Sequence, residues 1–375
     1  MTQSHPTSDA TRVDLDDTVK IAPSVFAANY EDARRKFLEA APKAKSYPCS
    51  AKGPTGEALF TDVAYIGDPD ARKLLVLISS THGPEGYCGS ASQVLFLKSN
   101  LPQTLPPSTA VLVIHAVNCY GFAWDRRVTA EGVDLNRNFV DFTKPLPKDV
   151  GYRELADHFV PRDLSEKAVK RAEEAIAAFE AKHGAHARRL ALANGQYTNP
   201  TGMFYGGTGP TEARLTQEAI VRDFNVAGRD KVVIIDYHTG LGPYGYGELQ
   251  CEESSGLAGL KRAQRIFGPS ATSPVVGTSA SMPINGTQDE FWLRLMGDRH
   301  TYVCLEYGTY PSAVGVLRDD HWLFAYRRDE ADAELGRRIR KATKDYFYPQ
   351  RLDWMEMIVW RSHQVHRQAI EALRH

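Results

Sequence analysis

Four short apolar runs alternating with stretches of helical spacing predict an α/β fold: a single mixed, mostly parallel, twisted sheet flanked by helices. The runs are Leu74 to Ile78, Ala110 to Val117, Val232 to Ile235 and Tyr302 to Leu305, all far shorter than a membrane span. Helical stretches such as Ser90 to Lys98 lie between them and indicate the crossover connections that parallel strands require. No Pro/Ser/Gly-rich linker, internal repeat or low-complexity tract divides the 375 residues, so residues 21–375 are expected to form one domain.

The elements follow in chain order. Met1 to Asp17 is polar and acidic and lacks a charged-then-apolar leader, so a disordered segment over residues 1–20 and a cytoplasmic location are expected. Between Ser24 and Ala41, Phe26, Tyr30, Ala33 and Phe37 recur at helical spacing, and Pro23-Ser24 offers a helix start. An extended pair then opens the sheet. The alanines and charges between Leu164 and Ala193 predict a strong helix, within a helical insertion over about residues 143–200. Asp353 to His375 reads as an amphipathic helix with Trp354, Ile358 and Val365 apolar. His183 and His186 stand among Lys182, Arg188 and Arg189 and read as a solvated helix terminus, while His363 and His366 receive no role.

Lysine and arginine total 45 against 46 acidic residues, a net charge of −1 that gives no electrostatic reason to expect nucleic acid or an anionic membrane as partner. A small polar substrate fits better. The five cysteines, Cys49, Cys88, Cys119, Cys251 and Cys304, are odd in number, scattered and without a Cys-x-x-Cys knuckle, so reduced thiols are expected. Cys88 and Cys119 lie close in sequence to the candidate site residues, where a structural role is the simpler reading.

The chemistry concentrates at the ends of the apolar runs. His82 and Glu85, in Thr81-His82-Gly83-Pro84-Glu85-Gly86, place an imidazole and a carboxylate on a turn leaving a strand, where both can reach one metal ion. Gly83, Pro84, Gly86 and Gly89 are expected to forbid a regular helix there and to let the backbone bend around an ion. His238 follows the third run and Glu306 the fourth, and ligands gather at such strand ends in open α/β sheets. A second imidazole beside His82 and Glu85 makes zinc the metal of choice.

The segment Gly132-Val-Asp134-Leu-Asn136-Arg137-Asn follows the second run. Taken with His82-x-x-Glu85, the strand-ending His238 and Glu306 in Cys304-Leu-Glu-Tyr-Gly-Thr309, it resembles the zinc carboxypeptidase superfamily in order and spacing. Asn194-Gly-Gln-Tyr and Pro200-Thr-Gly-Met-Phe-Tyr-Gly-Gly are similar to a bacterial branch of that superfamily catalogued as a domain of unknown function.

The resemblance implies a zinc carboxypeptidase, or phosphorylase/hydrolase-like, fold and one zinc ion per chain. It makes His82, Glu85 and His238 the ligands, with a fourth position open for water, as hydrolytic zinc requires. Glu306 matches the family glutamate that moves the proton, and Asp134 the aspartate that orients the first zinc histidine. Asn136 and Arg137 match the pair that grips a substrate carboxylate, and Arg127 the arginine that stabilises the oxyanion, with Arg126 as its rival. The family's mobile tyrosine is missing from Ser279 to Gln288, which leaves Tyr244, Tyr246, Tyr307 or Tyr310 to donate from another loop.

These residues imply a zinc-dependent hydrolase that cleaves a peptide or amide bond beside a carboxylate-bearing residue. A deacylase of N-acyl amino acids would use the same groups. A non-catalytic zinc- or carboxylate-binding protein is the third reading, although a binder has no need of Glu306.

Overall fold

The computed structural model describes residues 15–253, 257–331 and 333–374. Helix α1 (Leu15–Val25) already covers the end of the segment expected to be disordered, whose residues 1–14 lie outside the described residues. The single helix expected from Ser24 to Ala41 is instead two. Ser24 Oγ donates back to Ile21 O at 2.7 Å, closing α1, and helix α2 (Tyr30–Ala40) starts at Asn29, whose side chain accepts from Asp32 N at 2.9 Å. A side-chain acceptor reaching forward decides where a helix begins, and Ser24 has spent its hydroxyl in the other direction.

Strands β1 (Lys45–Lys52) and β2 (Ala58–Gly67) form the antiparallel opening pair. After them come β3 (Lys73–Ile78), α3 (Gly86–Lys98), β4 (Thr109–His115), the short α4 (Cys119–Ala123), α5 (Tyr152–Phe159), α6 (Glu166–His183), α7 (Ala185–Ala193) and α8 (Glu212–Asp223). The chain continues through β5 (Lys231–Tyr244), β6 (Gly247–Gln250), α9 (Leu257–Phe267), α10 (Gln288–Met296), β7 (His300–Gly308), α11 (Val314–Tyr326), α12 (Glu334–Phe347) and α13 (Leu352–Ala372). The sheet order is β1-β2-β4-β3-β5-β7-β6, with the central four strands parallel and both edges antiparallel. This is the expected mixed sheet.

Both faces of the parallel core are covered, which is why its strands read as unbroken apolar runs. Leu75, Leu77, Val111, Val113, Val233 and Ile235 face α2, α3 and α13. Leu74, Val76, Leu112, Ile114, Val232 and Ile234 face the opposite layer, where α8 contributes Ile220 and α10 contributes Trp292. Helices α5 and α6 bury Tyr152, Phe159 and Phe179 in a third cluster together with Trp322, Leu323, Ile339 and Phe347 of α11 and α12. Among the described residues no helix is long and apolar enough to cross a membrane.

Candidate metal centre

The chain leaves β3 at Ile78 and turns sharply at Ser80, which adopts a left-handed φ of 63°. A 3-10 turn over Gly83–Glu85 runs directly into α3, so Gly86 and Gly89 lie inside a regular helix, contrary to their expected breaking role. Their service is close approach: a Cβ on Gly86 would stand 2.7 Å from the Phe122 ring, and one on Gly89 2.6 Å from Ser79 Cβ. Gly83 is tighter still, because a Cβ there would meet the Gly121 and Arg126 main chains at 2.0 and 2.1 Å.

His238 and Glu306 are not beyond their strands but inside them. β5 runs on to Tyr244 and β7 to Gly308, and the two residues are register partners on adjacent parallel strands. Residues at i and i+2 of a strand share a face, so Asp236 lies on the same side as His238, and Cys304 on the same side as Glu306.

These placements bring His82, Glu85 and His238 into one buried cluster whose donor atoms lie within 4.8 Å of one another. Glu85 bridges the two rings, with Oε1 2.9 Å from His82 Nδ1 and Oε2 2.9 Å from His238 Nδ1, and the two Nδ1 atoms are 3.2 Å apart. Each ring is held from behind by a carboxylate: His82 Nε2 faces Asp134 Oδ1 at 3.1 Å and His238 Nε2 faces Asp236 Oδ2 at 2.9 Å. Assigning the imidazole proton to Nε2 from this network leaves both Nδ1 lone pairs and the Glu85 carboxylate aimed at one centre.

Three acceptors facing each other repel unless a cation lies between them. Zinc bonded tetrahedrally at about 2.0–2.1 Å spaces its nitrogen ligands about 3.3 Å apart, close to what the Nδ1 pair shows. The donor set therefore fits zinc.

Electrostatics match. Burial by itself would raise Glu85, but the adjoining His82 and His238 rings hold its carboxyl below the usual carboxylate range. Burial would lower His238, and the Asp236 and Glu85 carboxylates overcome it to hold the imidazole well above its ordinary value, so the surroundings favour a positive charge at this place, which a proton or a metal ion can supply. Asp134, buried yet flanked by Arg127, Arg137 and His82, is held well below the ordinary carboxylate value. Burial pushes the Glu306 carboxyl up to about 8, with the Glu85 charge adding to the rise and His238 opposing it. Leu241 N donates to Glu306 Oε1 at 3.0 Å, fixing the carboxylate beside the cluster.

The arginines separate cleanly. Arg127 Nε donates to Asp134 Oδ2 at 2.9 Å and its Nη1 to Glu85 Oε1 at 3.2 Å, whereas Arg126 turns away, paired with buried Asp320 at 3.0 Å and stacked on Phe324 at 3.4 Å. Arg137 donates to the carbonyls of Ala193 and Asn136, and Asn136 Oδ1 accepts from Gln288 N at 2.9 Å. That arrangement leaves one hydrogen on each terminal nitrogen of Arg137. Of the candidate tyrosines, Tyr307 is buried with its hydroxyl 2.7 Å from Ser362 Oγ, a packing position, while Tyr246 and Tyr310 are exposed.

Three site residues escaped the sequence. Asp236 had a legible signal, an acid two residues before a strand histidine. Phe204, in the left-handed region at φ 54°, sets its ring 5.2 Å from the guanidinium carbons of both Arg127 and Arg137. Glu252, which follows β6, is pushed up to about 7 by burial and by the Asp289 charge, with His238 and Arg137 opposing the rise.

A buried His–Glu–His cluster at one end of the parallel strands, each imidazole backed by a carboxylate, defines an α/β protein with a candidate metal centre. A family model described as a protein of unknown function, DUF2817, matches residues 26–361, and the chain belongs to that family. No curated protein sequence matches the chain. Among solved structures it is similar to a carboxypeptidase A from Helicoverpa armigera, at 13% identity over 85% of this chain and 75% of that one, with a TM-score of 0.43. It is also similar to murein-tripeptide amidase MpaA from Escherichia coli O157, at 14% identity, 82% and 95% coverage and TM-score 0.36. An aspartoacylase family protein from Mesorhizobium loti shows 13% identity, 81% and 68% coverage and TM-score 0.37.

Proposed function

We propose that this chain is a zinc-dependent hydrolase that cleaves a peptide or amide bond next to a carboxylate-bearing residue. His82, Glu85 and His238 would hold one zinc ion per chain. The observation that carries the reading is the pair of Nδ1 atoms 3.2 Å apart, both facing Glu85 and both backed by carboxylates. When bound, the ion supplies Lewis acidity that acidifies water and polarises a carbonyl.

The chain's own residues divide the remaining work. Glu306, held beside the cluster by the Leu241 N–H, is placed to take a proton from the attacking water and return it to the leaving nitrogen. Arg127, fastened by Glu85 and Asp134, presents its remaining donors where negative charge develops on the carbonyl oxygen. Arg137, through the hydrogen left on each terminal nitrogen, and Asn136 orient the substrate carboxylate and with it the scissile bond. Peptides with a free terminus and N-acyl amino acids both present that carboxylate.

Glu306→Gln tests the assignment. The variant is expected to keep one zinc per chain by metal analysis and to lose at least about 100-fold in turnover on a panel of peptides and N-acyl amino acids. Unchanged turnover would remove Glu306 from the mechanism, and zinc-free wild-type protein after zinc loading would remove the metal.

A further inference from the structure

The segment from Ala193 to Gly206 wraps around Arg137. Its first limb accepts Arg137 Nε and Nη2 on Ala193 O at 3.2 and 2.8 Å, and the Tyr197 hydroxyl donates to Arg137 O at 2.8 Å. The return limb is pinned on both sides of Phe204: Gln196 N donates to Phe204 O at 3.1 Å, Asp134 N to Tyr205 O at 2.8 Å and Gly206 N to Gln196 O at 2.8 Å.

Held between these bonds, Phe204 has a φ of 54° and is the one aromatic residue in the left-handed region among the described residues. A bulky side chain is strained there, where glycine would adopt the same backbone freely. Such strain persists only where the surrounding structure over-determines it, and it gathers at functional sites. The ring is half-buried and packs against the third apolar cluster, and the guanidinium carbons of Arg127 and Arg137 each lie 5.2 Å from its centre, within cation–π range.

We propose that Phe204 is a positioning residue that fixes the spacing of these two arginines and so determines how many bonds separate the substrate's carboxylate from the scissile amide. The proposal rests on the carboxylate grip of Arg137 and the oxyanion role of Arg127. Two guanidinium ions repel each other. Asp134 draws both in from one side, with Arg127 Nε at 2.9 Å and Arg137 Nη1 at 3.9 Å, and the electron-rich face of the ring supplies a second attraction that carries no charge. Sharing one ring centre, the two guanidinium carbons stand no more than twice 5.2 Å apart, and the pinned backbone keeps that centre in place. An N-acyl α-amino acid and an N-acyl β-amino acid differ by one methylene within this span, so a rigid pair of arginines suits one better than the other.

The test uses zinc-loaded Glu306→Gln protein, so that binding is read without turnover. It is titrated calorimetrically with glycine and β-alanine, each carrying an N-acetyl or an N-benzoyl group. With Phe204 present, one member of each pair is expected to bind at least about 10-fold more tightly than the other. In Phe204→Ala and Phe204→Gly that preference is expected to fall to near parity, and in Phe204→Tyr to survive. A ring that only packs would change stability and leave the ratio as it was. The glycine variant sheds the backbone strain and is expected to melt above the alanine variant, which keeps a ringless folded protein at hand. Equal binding with Phe204 present, binding of neither member, or an unchanged ratio in Phe204→Gly overturns the proposal. Selective binding beside a wild type that hydrolyses neither member would instead count against the hydrolase reading and leave this one standing.

Discussion

Asp236→Asn removes one charge from behind the candidate metal centre while keeping the side chain's size. Asp236 is fully buried and accepts three hydrogens: from His238 Nε2 at 2.9 Å, from Thr81 Oγ1 at 2.9 Å and from Tyr302 OH at 3.1 Å. An asparagine offers one oxygen and one NH2, so at least one of these donors is left facing another donor. Leaving a buried donor unmet costs about 1–3 kcal/mol of stability.

The effect on zinc is separate. A carboxylate behind a metal-ligating imidazole fixes its orientation and raises its basicity, and losing one typically weakens metal binding about 10- to 100-fold. At about 1.4 kcal/mol per decade, that is roughly 1.4–2.7 kcal/mol. Zinc affinity by competition with a chromophoric chelator, read beside thermal melting, distinguishes the two losses. Wild-type zinc affinity in a folded Asp236→Asn protein would refute the claim that Asp236 holds His238 for a metal.

Three further perturbations probe other parts of the molecule. Gly83→Ala drives a Cβ to within 2.0 Å of the Gly121 main chain, so a stability loss of about 1–3 kcal/mol and weaker zinc binding are expected in urea and chelator titrations. Normal values for both would show that the turn yields freely. Arg126→Met strands the buried Asp320 carboxylate and should cost about 3–5 kcal/mol in stability with zinc affinity unchanged, an outcome denaturation and metal titration separate. His115 is held by burial at about 4 against an unfolded value near 6.5. Its folded pKa lies below its unfolded one, so it contributes nothing above pH 6.5. It destabilises the fold as pH falls from there towards 4, because the unfolded chain takes the proton first. His115→Gln removes that linkage, so the variant's stability deficit relative to wild type should narrow by about 2 kcal/mol between pH 7.5 and pH 5. A deficit independent of pH in denaturant titrations would refute a neutral buried His115.

Much of the candidate site was visible before any coordinates, because His82, Glu85, His238 and Glu306 each sit beside an apolar run that could only be a buried strand. Asp134 could be read from its motif as well. Where the reading failed, the deciding contact was with a residue far along the chain or in an unexpected direction. The split of the first helix turned on which way the Ser24 and Asn29 side chains bonded. Gly86 and Gly89 proved to be spacers for Phe122 and for Ser79 instead of helix breakers, a distinction that only the packing partner supplies.

By itself the sequence determined the alternation of strand and helix and the residue types available at the strand ends, since apolar periodicity and turn chemistry are properties of neighbours in the chain. Tertiary structure alone decided that β3 and β5 lie side by side, which joins two histidines 156 positions apart at 3.2 Å. It also turned Arg127 towards the cluster and Arg126 away from it, and placed Asp236 behind His238. The physical reason is that sheet order and side-chain direction are set by which long-range packing buries the most apolar surface, and no local pattern records that choice.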